Sequence, residues 1–148
     1  MYLEIKGLKK SYGKNGSYTE VLKGISTSVD EGQMCVIQGR SGSGKSTFLN
    51  CIGGLDIPDD GSVRVDGNEI VELKSSGLSE YRRKNLGFIF QFYNLVPNLT
   101  VRENIEVCEY LTKDPLKIEE LLETLGMTKY QNSYPSQLSG GQQQRCAI

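Results

Sequence analysis

Histidine is absent from this chain of 148 residues, so no site within it can use an imidazole group. An excess of one charge is absent too, because 17 Lys and Arg residues stand against 18 Asp and Glu residues and leave a net charge of −1. A balance of this kind argues against a nucleic-acid surface or a polybasic membrane patch. The short basic run Arg82–Lys84 is typical of a solvated helix end.

Long hydrophobic runs are also lacking. No stretch approaches the roughly 18 consecutive apolar residues of a membrane span, and the N-terminus has no signal-peptide core. The four cysteines form no C-x-x-C motif and lie mostly inside apolar stretches. We therefore expect a soluble, cytosolic protein with reduced, buried thiols, which inserts into no membrane directly and acts on one only through a partner.

A glycine-rich stretch from Gly39 to Thr47 is the most informative part of the sequence. It follows the apolar run Met34–Ile37, reads G-R-S-G-S-G-K-S-T, and leads into the helical pattern Lys45–Asn50. This matches the phosphate-loop motif G-x-x-x-x-G-K-[ST] between a strand and a helix. The predicted phosphate-binding residues are Gly39, Arg40, Ser41, Gly42, Ser43, Gly44, Lys45, Ser46 and Thr47.

The residue types in this loop suit a polyphosphate ligand. Glycines let backbone N–H groups come close to the phosphates, since no side chain obstructs them. Lys45 offers a point charge to the β- and γ-phosphates, and the following helix directs its unpaired amides at the same anion. The Ser46 hydroxyl is placed to ligate Mg²⁺.

The first part of the chain has the pattern of an α/β protein. Tyr2–Leu8 and Val21–Val29 are predicted as antiparallel strands, with a loop at Ser11–Ser17 between them. Met34–Ile37 and Leu86–Gln91 are apolar runs that indicate strands buried on both faces of a parallel sheet. A further short strand is expected over Ser62–Gly67, and a helix around Leu78–Lys84.

From about Phe92 onward the pattern becomes helical. Thr100 and Glu103 form a capping box. Asp114 is predicted to cap a helix that has Pro115 at its first position and ends at Gly126. The apolar stripe of that helix is Ile118, Leu121, Leu122 and Leu125. We therefore expect a β subdomain and phosphate-loop core over residues 1–91, followed by a helical subdomain over residues 92–148.

A second glycine motif lies near the C-terminus. Leu138–Gln142 reads L-S-G-G-Q and precedes a helical pattern, so it forms another anion nest at a helix start. Together with a phosphate loop about a hundred residues earlier, this motif resembles the ATP-binding cassette (ABC) family, of which LSGGQ is the signature. The resemblance covers the whole chain and implies a phosphate-loop NTPase core with an antiparallel β subdomain and a helical subdomain.

The family resemblance also implies ATP and Mg²⁺ as ligands and gives roles to single residues. Tyr12 is similar to the aromatic residue that stacks on adenine. Gln91 is similar to the glutamine that meets Mg²⁺ and the attacking water, so Lys45 and Gln91 are the candidate catalytic residues, and Ser46 and Gln91 the candidate metal ligands. The signature residues expected to contact ATP bound to a second cassette are Ser139, Gly140, Gly141 and Gln142.

Four stretches resemble the subgroup that serves lipoprotein-releasing and macrolide-exporter membrane proteins, namely Gly53–Asp56, Phe88–Gln91, Asn94–Thr100 and Glu103–Ile105. This resemblance implies a homodimer of ATP-binding domains that works with integral membrane transporter subunits (permease) at the inner face of the cell membrane. The expected location is therefore cytoplasmic and peripheral. The membrane subunits select the transported substrate, so the sequence does not identify it.

One family feature is missing from these residues. In the family, an apolar strand ending in an aspartate and a catalytic glutamate follows the signature, and a switch histidine comes later. No apolar run here ends in Asp-Glu, and there is no histidine. The sequence thus resembles a cassette without roughly its last third, and we expect the 148-residue chain to hydrolyse little or no ATP, even as a homodimer.

Two alternative functions remain open at this point. A non-transport cassette protein in repair or translation would show a second cassette or a long coiled-coil insertion, and neither is present in this sequence. A small phosphate-loop kinase or GTPase would not need LSGGQ. The sequence favours the ATP-binding subunit of a transporter.

Overall fold

The computed structural model describes residues 1–14, 16–109, 111–112 and 114–148. Its strands are β1 (Leu3–Lys14), β2 (Ser17–Val29), β3 (Asp60–Val65) and β4 (Asn68–Glu69). Its α-helices are α1 (Lys45–Ile52), α2 (Ser75–Asn85), α3 (Val101–Glu109), α4 (Ile118–Thr124) and α5 (Gly140–Ala147). Short 3₁₀ turns occupy Thr128–Tyr130 and Pro135–Gln137.

These elements fall into a first unit, Met1–Leu86, and a second unit, Gly87–Ile148. The assignment of separate subdomains to residues 1–91 and 92–148 stays a prediction. No helix among the described residues is long and apolar enough to cross a membrane.

The first unit is built on an antiparallel sheet with strand order β2-β1-β3-β4. The two predicted N-terminal strands are confirmed, but the loop predicted between them is wrong at Ser11–Lys14 and at Ser17. There β1 continues to pair with β2, with Tyr12 opposite Thr19 and Lys14 opposite Ser17. The sequence pattern missed this extension because a two-stranded ribbon continues by backbone pairing without an alternating apolar face.

The core of the first unit lies between the sheet and two helices. Its buried side chains come from the sheet and the segment after it (Ile5, Leu8, Leu22, Val63, Val65, Ile70), from α1 (Phe48, Cys51) and from α2 (Tyr81). Two side chains of α2 also bond to the last residue of α1 and to the turn that follows it. The Tyr81 hydroxyl donates to the carbonyl of Ile52 at 3.0 Å, and the Arg82 guanidinium to that of Gly54 at 2.6 Å.

The two apolar runs predicted as buried parallel strands do not form strands. Residues 33–40 and 86–90 have no regular secondary structure, and Met34 and Val36 are 94% and 71% exposed. A strand exists only where another strand supplies its hydrogen bonds, and both runs lie outside the four-stranded sheet of the described residues. The prediction of two strands buried on both faces is therefore wrong for this structure.

The second unit has its own core, formed by Val101, Ile118, Leu122, Met127 and Leu138. The capping box before α3 is confirmed, since the Thr100 N–H donates to the Glu103 carboxylate at 2.7 Å and the Glu103 N–H to the Thr100 hydroxyl at 3.3 Å. The predicted start of α4 is wrong. That helix begins at Ile118 after Lys117, so Asp114 and Pro115 precede it. Burial of Ile118 and Leu122 fixes where the helix forms, and the capping pattern of Asp114 does not decide it.

The cysteines only partly match the expectation of buried thiols. Cys51 is buried and Cys146 half-buried, whereas Cys35 and Cys108 are exposed. Burial raises the pKa of the Cys51 thiol to about 11, so little thiolate forms there at neutral pH. We expect a maleimide at neutral pH to label Cys35 and Cys108 first and Cys51 last, as read by mass spectrometry of peptides. Labelling of Cys51 at the rate of Cys35 would contradict the packing of α1.

Candidate nucleotide-binding site

The turn before α1 depends on the backbone of Gly44. This residue is the N-cap of α1 and has φ of 90°, in the left-handed region that side chains disfavour. A Cβ atom at Gly44 would also lie 2.9 Å from Cγ1 of Val21 and 3.3 Å from the Val21 carbonyl oxygen. The loop can therefore pass this close to β2 only with glycine at position 44.

Gly39 is constrained by contact within the loop. A Cβ atom there would lie 2.5 Å from the Ser43 hydroxyl oxygen, well inside van der Waals contact. The Ser43 N–H also donates to the carbonyl of Arg40 at 3.2 Å. The loop from Gly39 to Ser43 therefore closes tightly on itself, as an anion-binding nest requires.

The Lys45 side chain folds back over this loop. Its ammonium group donates to the carbonyls of Gly39 and Arg40, each at 2.8 Å, and lies 3.5 Å from the Ser43 hydroxyl. These contacts hold the positive charge at the mouth of the loop. A phosphate that approached the loop would meet both this ammonium and the amides of the first helical turn.

The first turn of α1 offers unpaired donors. The Phe48 N–H donates to the Gly44 carbonyl at 2.8 Å, so the amides of Lys45, Ser46 and Thr47 precede the intrahelical bonding. No acidic side chain occupies this turn. The positive end of the helix dipole is therefore not neutralised by a carboxylate, which favours an anionic ligand.

Tyr12 lies on the extended part of β1, with a side chain that is 43% exposed. Its hydroxyl donates to the Asp56 carboxylate. Burial raises the pKa of this hydroxyl, and the Asp56 hydrogen bond raises it further. Tyr12 is thus a partly exposed aromatic residue on the same unit as the phosphate loop.

Asp56 and Lys10 were not predicted as site residues, yet Asp56 accepts a hydrogen bond from Tyr12 and Lys10 lies over its ring. The Lys10 ammonium is 2.8 Å from the Asp56 carboxylate and 5.2 Å from the centre of the Tyr12 ring. One signal was available, because residues two apart on a strand share a face, which places Lys10 beside Tyr12. The approach of Asp56, 44 residues from Tyr12 along the chain, has no local signal.

The signature motif lies in the second unit, at the start of α5. Ser139 is the N-cap, and its N–H donates to the Gln142 side chain at 2.7 Å while its hydroxyl accepts from the Gln142 N–H at 3.4 Å. Leu138 is buried in the core of that unit, and Gly140 and Gly141 are exposed. The packed leucine therefore fixes a helix start whose two glycines face solvent.

Gln91 also belongs to the second unit. It is exposed and lies in a turn, where the Tyr93 N–H donates to the Phe90 carbonyl at 3.1 Å. Tyr12 and the whole phosphate loop belong to the first unit, and Gln91 and the signature belong to the second.

The described parts of the chain offer few side-chain ligands for a divalent cation. They contain no group of three or more Cys, Asp or Glu side chains that could hold a metal ion. Mg²⁺ prefers oxygen ligands and commonly binds through one or two protein groups together with substrate phosphates and water. The exposed Ser46 hydroxyl, beside the loop amides, fits this partial role.

Comparison with protein families settles the affiliation. The family model described as "ABC transporter" matches residues 22–148, which include both the phosphate loop and the signature motif. The chain belongs to this family. The family resemblance inferred from the two motifs is therefore confirmed.

Curated ABC proteins match nearly the whole chain. The macrolide export ATP-binding/permease protein MacB of Shigella flexneri is 45% identical over 99% of this chain and 23% of that protein. The bacitracin export ATP-binding protein BceA of Halalkalibacterium halodurans is 42% identical over 98% of this chain and 59% of that protein. The chain thus spans between about a quarter and three fifths of these relatives.

Solved structures give the same fold. A dimeric post-hydrolysis state of the ATP-binding cassette MJ0796 bound to ADP and Pi is 36% identical, with a TM-score of 0.88 over 98% of this chain and 66% of that one. A second dimeric structure of MJ0796, described as a bacterial ABC transporter cassette, is 38% identical with a TM-score of 0.89. The predicted α/β cassette fold is therefore confirmed.

Proposed function

We propose that this chain forms the ATP-binding part of an ABC transporter ATPase, which binds MgATP and, in the whole protein, hydrolyses it to power partner membrane subunits. The observation that carries the proposal is the phosphate loop, in which the Lys45 ammonium is held by the Gly39 and Arg40 carbonyls at the start of α1. Positive charge and unpaired amides then converge on one place, as a triphosphate requires.

Each part of the nucleotide has a proposed partner. The β- and γ-phosphates bind the amides of Gly42 to Thr47 and the Lys45 ammonium, and the adenine ring stacks on Tyr12. Mg²⁺ binds through the Ser46 hydroxyl, and the catalytic and metal-ligand role that the family resemblance implies for Gln91 stays a prediction. An ion held there would supply positive charge that offsets the negative charge of the phosphates.

The signature motif has its role in a dimer of cassettes. We propose that Ser139 to Gln142 of one chain contact the ATP that is bound at the phosphate loop of another. Support comes from the capped helix start with two exposed glycines, which is an anion-binding arrangement. The two structurally similar MJ0796 cassettes are dimers in their solved structures.

The proposed partners are integral membrane transporter subunits (permease), with the ATP-binding part peripheral at the cytoplasmic face. Support comes from the family and from the relatives named as export proteins. Copurification with a membrane protein from the source cells would support transport. Recovery with ribosomes or repair proteins instead would favour the alternative of a non-transport cassette.

We propose further that the 148 residues by themselves bind ATP without turning it over. Hydrolysis needs groups that orient the attacking water and complete the Mg²⁺ site, and these residues include neither an apolar run ending in Asp-Glu nor a histidine. Calorimetry of the chain should show binding of MgATP, while a phosphate-release assay should stay at background. Lys45→Ala, which removes the loop charge, is the matched control for both measurements.

Two results would contradict this proposal in different ways. Phosphate release that Lys45→Ala abolishes would show that these residues already hold a complete catalytic set. If the chain bound neither MgATP nor tripolyphosphate, the proposal that the phosphate loop binds a nucleotide would be wrong.

A further inference from the structure

The contacts of Tyr12 have a consequence that rests on the proposed function but goes beyond it. We propose that Asp56 and Lys10 are positioning residues for the nucleobase. Asp56 anchors the Tyr12 hydroxyl, and Lys10 covers one face of the ring, so the adenine stacks on the opposite face. The geometry of these three side chains, all of which lie in the first unit, carries this proposal.

Asp56 is itself held firmly. Its N–H donates to the carbonyl of Asn50 at 3.2 Å, and the Leu55 N–H donates to the same carbonyl at 2.9 Å. Asn50 belongs to the last turn of α1, the helix that begins at the phosphate loop. Through Asp56, the far end of the Tyr12 ring is therefore tied to the same helix that would hold the phosphates.

Lys10 is the second fixed group. Its side chain is only 12% exposed, and its ammonium donates to the Ile57 carbonyl at 2.6 Å as well as to Asp56 at 2.8 Å. The same ammonium lies 5.2 Å from the Tyr12 ring centre, within cation–π range. A base cannot stack on a face that this side chain occupies, whereas the 43% exposure of Tyr12 leaves other ring surface open.

The ion pair also decides the local charge. An uncompensated carboxylate beside the nucleotide would repel its phosphates, and the Lys10 ammonium, 2.8 Å from Asp56 and 3.9 Å from Asp59, offsets part of this negative charge. Burial opposes ionisation of Asp56, and the hydrogen bonds from Lys10 and Tyr12 outweigh it, so the pKa of this carboxyl lies below its ordinary value. Asp56 thus stays ionised at neutral pH and remains an acceptor for the Tyr12 hydroxyl.

Binding of two ligands is measured, so that an effect on the position of the base can be distinguished from an effect on the structure of the phosphate loop. MgATP contains the base, and magnesium tripolyphosphate carries phosphates alone, so only the first reports on Tyr12. The variants are Tyr12→Phe and Asp56→Asn. The control is Asp60→Asn, which breaks the exposed pair between Lys9 of β1 and Asp60, the first residue of β3.

We expect each variant to weaken MgATP binding by about two- to tenfold and to leave tripolyphosphate binding unchanged. Tyr12→Phe removes the hydroxyl that bonds to Asp56, and Asp56→Asn removes the charge that strengthens this bond and holds Lys10. Asp60→Asn should change neither affinity. Equal losses for both ligands, or no loss for MgATP, would overturn the positioning role. If Asp56→Asn does not fold, the Tyr12→Phe result decides alone, since that substitution removes only a hydroxyl.

The stacking face is tested by nuclear Overhauser effects in the chain bound to MgATP. The adenine protons should show effects to the Tyr12 ring and none to the ε-methylene of Lys10. Effects to that methylene, or none to the ring, would overturn the assignment of the face. If the unaltered chain bound neither MgATP nor tripolyphosphate, the proposed function itself would be wrong. If the unaltered chain bound both ligands but the variants did not show the expected losses, only the positioning role would be wrong.

Discussion

Replacing Lys45 by alanine is expected to weaken MgATP binding by about ten- to a hundredfold. In the proposed binding mode, the substitution removes a charge-assisted contact of about 1.5–3 kcal/mol to the β- and γ-phosphates. It also removes the bonds to the Gly39 and Arg40 carbonyls that hold the ammonium in place. Isothermal titration of the variant and the unaltered chain with MgATP measures the effect.

The matched control is Lys23→Ala, which removes an exposed lysine from β2 and changes net charge by the same amount. We expect it to leave MgATP affinity within about twofold, since the charge of an exposed side chain is weakened by solvent and by salt. Equal losses in the two variants would show that Lys45 acts only through net charge. Unchanged affinity in Lys45→Ala would refute its placement on the phosphates.

Replacing Leu122 by alanine is expected to lower the free energy of unfolding of the second unit by about 2–5 kcal/mol. Leu122 is 1% exposed and packs in the cluster with Val101, Met127 and Leu138, the residue next to Ser139. The lost methyl groups leave a cavity that these neighbours fill only in part. Hydrogen exchange of the α3 and α5 amides measures the change.

Leu116→Ala is the control for this experiment. Leu116 is chemically identical to Leu122 but is 69% exposed, so its truncation should alter exchange by less than about 0.5 kcal/mol. If the α3 and α5 amides exchanged as slowly in Leu122→Ala as in the unaltered chain, the start of α5 would not depend on this core.

The parts of the fold that the sequence predicted have local causes. The phosphate loop follows from glycine conformation and one lysine, and the Thr100–Glu103 box from two side chains three residues apart. The pairing of β1 with β2 is also nearly local, since one short connection joins the strands. Such features can be predicted from a short stretch because the interacting groups are neighbours.

The errors concern features that need distant partners. Met34–Ile37 has the composition of a buried strand, but composition supplies no hydrogen-bond partner, and the run stays exposed. Asp114 has the chemistry of a cap, but the start of α4 follows the burial of Ile118. Asp56 was missed at the candidate site for the same reason, because nothing near it in sequence reveals that it meets Tyr12.

The bond between the Arg82 guanidinium and the Gly54 carbonyl has an electrostatic consequence at the other end of α1. A helix dipole ends in partial negative charge at its C-terminal carbonyls, and that charge offsets part of the attraction which the N-terminus exerts on an anion. A guanidinium placed just beyond those carbonyls compensates this partial negative charge. The net attraction of α1 for a phosphate at its N-terminus is therefore stronger. This contribution does not involve Lys45, and a weak, salt-sensitive attraction for polyphosphate should therefore persist when Lys45 is removed.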